Sequence, residues 1–271
     1  WNLIMSRVDH FEDLREEVDR LVQLKGSDNW SGTRSDKNFK LIERNYSFGK
    51  RMCYERVDES TTYVDLQSSR SLAIYENDTL ENVMTQLDDV MKINSADDVR
   101  IKELEQSWSS LSINLGEIQH TGFAELGYRV PRLMKHYSEK YDIPAWGYDV
   151  TPLSIGVTQK MGYDGREYDF NSCEKELDLT GASLIVSYHM LEHLSDPVKA
   201  IEKIYDAMDK GAFFHVEVPI EPGTPRLEFA HMFPFHPRDL CYMLINIGFA
   251  IISLSEKTHE GGPRVERYLV R

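Results

Sequence analysis

Short apolar runs recur through the second half of the chain: "GFAELG", "AWGYDV", "ASLIVSYH", "AFFHVEVP", "FAIISLS" and "RYLVR". Each reads as a strand, and segments such as "PVKAIEKIYDAM" and "RDLCYMLINIG" between them carry apolar residues at helical spacing. Strand and helix therefore alternate, which predicts an α/β domain with a doubly wound, mainly parallel sheet. Ligands of such sheets bind outside the carboxyl ends of the strands.

The first part has a different rhythm. Leu3, Val8, Phe11, Leu14, Val18 and Leu21 form one stripe of an amphipathic helix, to be covered by its own domain or by a second copy in a homodimer. A polar turn region, "GSDNWSGTRSDKN", precedes two predicted strands, "TTYVDLQ" and "SLAIYE". "TLENVMTQLDDVMKI" and "DDVRIKELEQSWSSL" then read as helices, with Thr and Asp as caps near their starts. The expected organisation is a mostly helical region over residues 1–115, acting as lid, dimerisation unit or linker, followed by the α/β domain over 116–271.

Composition narrows the function. The 271 residues carry 31 Lys+Arg against 45 Asp+Glu, a net charge of -14 without a basic cluster, which argues against nucleic acid as a partner. No apolar run reaches the roughly 20 residues of a membrane span, and the amino-terminal residues lack a signal-peptide pattern. Cys53, Cys173 and Cys241 are far apart, odd in number and free of CxxC spacing, so a reducing, cytoplasmic setting is expected.

The chemistry concentrates in "SLIVSYHMLEHLSDP". His189 falls at a strand end, where a near-neutral imidazole suits a general base. A helical turn from 191 would project Glu192 and His193 at spacings of three and four from it, a set able to hold a divalent metal. His231 and His236, in "FAHMFPFHPRDL", are placed to close the same site. Each has a plainer reading: Glu192 and His193 tie the turn to neighbouring backbone, and the loop histidines cap the following helix. The long segment "EVPIEPGTPRLEFAHMFPFHP" is expected to form one wall of an acceptor pocket.

The order "ELG", "YDV", "YDF", "LIVSYHMLEHLSDP", "KGAFFHVEVP", "FHPRDLCYMLINIGF" resembles the class I S-adenosylmethionine-dependent methyltransferases, in the small-molecule, sugar-type branch with a Leu-Glu-His turn. The resemblance covers roughly residues 120–271 and implies a seven-stranded Rossmann-like sheet. It implies cofactor binding by Glu125, Gly127, Asp149, Asp169, Phe170 and Tyr188, with Asp149 on the ribose hydroxyls and Asp169 and Phe170 on the adenine. The chain departs from the family's Gly-x-Gly-x-Gly turn, with Arg129 and Pro131 where glycines are usual.

The implied activity is methyl transfer to a small polar acceptor, an oxygen of a sugar or related metabolite, with His189, His231 and His236 as catalytic candidates. Mg2+ or Mn2+ is a candidate second cofactor, held by Glu192 and His193. Three other readings stay open. The small-RNA terminal 2'-O-methyltransferases resemble this chain in using a Glu/His metal cluster at this turn, although His189 stands where their first glutamate would be. A cofactor-free scaffold is the second, and a nicotinamide oxidoreductase the third.

Overall fold

A computed structural model describes residues 39–57, 95–115, 119–128, 130–172, 174–223, 225, 230–258 and 264–271. The helix expected from Leu3, the strands "TTYVDLQ" and "SLAIYE" and the helix "TLENVMTQLDDVMKI" lie outside the described residues. Among the described residues no helix is long and apolar enough to cross a membrane.

The described elements begin with a hairpin, β1 (Phe39–Tyr46) and β2 (Gly49–Arg56), and a helix, α1 (Ser95–Leu115). The α/β part follows as β3 (Phe123–Leu126), α2 (Arg132–Tyr141), β4 (Ala145–Asp149), α3 (Pro152–Lys160), β5 (Asp164–Glu167) and β6 (Leu184–Tyr188). A 3-10 turn over Leu191–His193 leads to α4 (Pro197–Ala207), β7 (Phe213–Pro219), α5 (Asp239–Ile247), β8 (Ile251–Thr258) and β9 (Arg264–Val270). The seven-stranded sheet has the order β5-β4-β3-β6-β7-β9-β8. β3, β4, β5, β6 and β7 pair in parallel, and β9 enters antiparallel between β7 and β8. The six apolar runs of the sequence are β3, β4, β6, β7, β8 and β9, so the predicted doubly wound, mainly parallel sheet is the one found.

Two cores follow from the two faces. The parallel strands are buried on both sides and read as near-continuous apolar runs; "LIVSY" and "FFHVEVP" are buried along their whole length. One face receives α1 and α2, whose Leu104, Trp108, Leu133, Met134 and Tyr137 pack with Phe123, Leu184 and Val186. The other receives α4 and α5, whose Ala200, Ile201, Ile204, Leu240, Met243 and Leu244 pack with Ile185, Phe214 and Val216. Each Leu, Ile, Val, Met or Phe among them contributes about 1.5–3 kcal/mol on leaving water. α1, read from sequence as part of the amino-terminal region, is thus packed on the sheet.

The hairpin closes through the two-residue loop Ser47-Phe48, with Tyr46 opposite Gly49 and Gly49 at φ +118. It docks over the carboxyl ends of the parallel strands through three Arg–Asp pairs. Arg51 reaches Asp239 at the start of α5 with two bonds of 2.6 and 2.5 Å, both side chains buried. Arg56 grips Asp169 beyond β5 at 3.1 Å, and Arg44 meets Asp196 before α4 at 2.9 Å. The Tyr54 N–H adds a 2.9 Å bond to the Met232 carbonyl.

Candidate functional site

At the end of β3 the chain turns at Gly127, with φ +69. Its N–H donates to the Tyr148 carbonyl at 2.8 Å, and a Cβ here would stand 2.6 Å from Met190. Only glycine meets both demands. Tyr128 then drives its ring inward: a Cβ on Gly147 or Gly165 would lie 2.5 or 2.7 Å from it. Two glycines in β4 and β5 thus make room for a bulky residue in the turn.

Asp149 ends β4 and is buried, with Oδ1 accepting the Thr151 N–H at 2.7 Å. Burial pushes its carboxyl up to about 7. Asp169 is held by Arg56 and also accepts the Asn171 N–H at 2.9 Å. Phe170 is buried against Tyr168, ring centroids 4.6 Å apart. Glu125 is buried in β3, between Gly147 and Val186 of the neighbouring strands. Tyr188 lies on the α1 face, its hydroxyl 2.6 Å from His215 Nδ1 and its ring centroid 5.1 and 5.7 Å from the guanidinium carbons of Arg100 and Arg267.

The stretch 189–193 and the loop before α5 converge. His189 leaves β6 in a left-handed conformation, φ +53, with Nδ1 3.1 Å from Glu192 Oε1 and Nε2 3.0 Å from Glu217 Oε1. Burial alone would lower its pKa; the hydrogen bonds to Glu192 and Glu217 outweigh that and raise it. It is therefore an imidazolium at neutral pH, donating from both nitrogens, and the general-base role expected of it requires a proton to leave first. Burial alone would raise Glu192, but its hydrogen bond with His189 and the charge of that imidazolium drive it below the usual carboxylate range.

His193 directs Nδ1 at the Ala230 carbonyl, 2.9 Å away, and His231 directs Nδ1 at Glu221 Oε2, 2.5 Å away. In both rings the acceptor at Nδ1 places a proton there, so the tautomer that carries a lone pair has it on Nε2. Burial lowers the pKa of His193 and favours its neutral form. Ligand-capable atoms of Glu192, His193 and His231 all lie within 4.8 Å of one another. The loop is stitched to the turn, since the Met232 and Phe233 N–H groups donate to the Glu192 carbonyl at 2.7 and 3.0 Å. His236 serves the loop instead: its Nε2 accepts the Gly223 N–H at 3.2 Å.

Behind the cluster stands a network that sequence reasoning missed. Glu217, fully buried in β7, receives Arg100 Nε at 3.0 Å and Arg267 Nε at 2.8 Å besides His189. Arg267 and Lys257 also pair with Glu103. The signal was a glutamate inside the apolar run "FFHVEVP", since a buried carboxylate needs cations around it. Glu221, the partner of His231, carried no such signal.

No family model matches the chain, and no curated protein matches it in sequence. Solved structures do match. A candidate sarcosine dimethylglycine methyltransferase from Galdieria sulphuraria superposes over 67% of this chain and 89% of its own, with 10% identity and a TM-score of 0.51. The fold is the Rossmann-like fold of the methyltransferases. An S-adenosylmethionine-dependent methyltransferase from Mesorhizobium loti covers 61% of this chain and 97% of its own at 14% identity, TM-score 0.47. LepI in complex with S-adenosylmethionine covers 62% and 46% at 16% identity, TM-score 0.45. Such identities speak to fold alone, and activity has to be argued from the site.

Proposed function

We propose that the protein transfers a methyl group from S-adenosylmethionine to a small polar acceptor, an oxygen of a sugar or related metabolite. The observation that carries this reading is the pairing of two features at the carboxyl ends of neighbouring strands. On one side are the Gly127 turn and the buried Asp149; on the other is the cluster of Glu192, His193 and His231.

In this reading the Gly127 turn lets the backbone approach the methionine part of the cofactor, and Asp149 accepts the ribose hydroxyls. The reaction is an in-line displacement: an acceptor oxygen lone pair forms the C–O bond, the C–S bond breaks, and its electron pair leaves on sulfur as a neutral thioether. The protein must align the partners and take the acceptor's proton. With His189 already protonated, the imidazoles able to serve the acceptor side are His193 and His231, as proton acceptors where they hold no ion or as ligands of an ion that lowers the acceptor hydroxyl's pKa. A hydroxylated acceptor suits a cluster of imidazoles and carboxylates, and the net charge of -14 disfavours an RNA end.

Titration calorimetry of the whole chain with S-adenosylhomocysteine tests this. Micromolar binding is expected, and Asp149→Ala should weaken it at least tenfold, about 1.4 kcal/mol. No binding by the unmodified chain would overturn the reading; unchanged affinity in the variant would remove Asp149 from the ribose.

A further inference from the structure

We propose that Glu192, His193 and His231 form a site for one divalent first-row transition-metal ion of the Mn2+, Co2+ or Zn2+ kind. Three ligand-capable atoms lie within 4.8 Å of one another. Ligands about 2.1 Å from a common ion stand about 3–4 Å apart, so side-chain adjustments of about 1 Å close the set. Glu192 is buried, and its Oε2 has no hydrogen-bond partner among the described residues. A buried carboxylate oxygen left unpaired is costly, and a cation is the partner that removes the cost.

The surroundings are arranged as ligands require. Each histidine has its Nδ1 fixed by an oxygen acceptor, Ala230 O for His193 and Glu221 Oε2 for His231, which orients Nε2 as the donor to a metal. Glu192 Oε1 is occupied by His189, so Oε2 is the oxygen presented. Two of the four described non-glycine residues at positive φ, His189 and Ala230, flank the cluster. Strained backbone of this kind persists where surrounding structure enforces it, and it gathers at ligand clamps.

The donor set also selects the ion. Two imidazole nitrogens and one carboxylate suit Mn2+, Co2+ and Zn2+, whereas Mg2+ and Ca2+ prefer sites built from oxygen. Three protein ligands leave coordination positions for acceptor oxygens, whose hydroxyl pKa the ion would lower. The ion's presence stands on the cluster geometry; its service to an acceptor rests on the methyl-transfer reading.

The test uses the whole chain, stripped with chelator and titrated with Mn2+ while the electron paramagnetic resonance signal of free Mn2+ is followed. One equivalent should bind, a hundredfold excess of Mg2+ should not displace it, and Glu192→Gln and His231→Ala should each weaken binding at least tenfold. His236→Ala should leave it unchanged. No binding, displacement by Mg2+, unchanged affinity in His231→Ala, or an equal loss in His236→Ala would overturn the site. His231 is on a loop, so that variant decides if Glu192→Gln does not fold. S-adenosylhomocysteine binding is measured on the same samples: its retention without Mn2+ binding removes the ion alone, and the converse removes methyl transfer alone.

Discussion

Asp149 and Glu192 are both buried carboxylates, one at the end of β4 and the other just past β6, on either side of β3. Burial acts on both in the same direction. Asp149 has N–H donors and no cation among the described residues, and its carboxyl rises to about 7. Glu192 has the His189 imidazolium, and its pKa falls. One carboxyl is completed by new donors such as hydroxyls; the other is already an anion with one oxygen unassigned. Chemistry at this edge of the sheet is set less by depth than by which residue stands next to each acid.

The largest effect expected is on stability. Glu192→Gln leaves the His189 imidazolium with one buried anion instead of two and should lower unfolding free energy by about 3 kcal/mol in urea melts. Asp149→Asn should do the reverse at pH 8. The folded value of Asp149 exceeds its unfolded one, so the folded state holds more protons between about pH 4 and 7 and loses stability as pH rises through that window. Removing the ionisation should gain up to about 4 kcal/mol at pH 8, less whatever hydrogen bonding the amide fails to reproduce. Equal losses in the two variants would erase the contrast.

Gly127→Ala probes the link between the two sides, because its methyl would strike Met190, the residue before the turn that carries Glu192. Positive φ and overpacking together should cost about 2 kcal/mol, with cofactor affinity falling in parallel. An unchanged melt would mean that Met190 moves freely. The smallest effect is in pH dependence. If ribose hydroxyls donate to the ionised carboxyl, S-adenosylhomocysteine affinity should climb about tenfold from pH 6 to 8 and then level, following the fraction of Asp149 ionised. A flat profile would detach Asp149 from the ligand.

Much of the fold was legible because parallel strands buried on both faces leave unbroken apolar runs. The strand ends then located Gly127, Asp149 and His189 without coordinates. The hairpin was not legible: in "FKLIERNYSFGKRMCYER" charged residues fall on the inward positions too, because Arg51 is buried against Asp239. A pattern that equates inside with apolar cannot see a strand that buries an arginine. The protonation of His189 was hidden for a related reason, since it depends on Glu217, 28 residues away in sequence and on the adjacent strand.

The three arginines that fasten the hairpin also set an order of events in folding. Their partners lie 113, 152 and 188 residues along the chain, in three separate crossings of the sheet. None of these contacts is local, and a hairpin isolated in water is marginal at best. The hairpin can therefore find its seat only after β5, α4 and α5 have taken their places, which makes the roof over the cluster the last part to arrive and the first that unfolding would release.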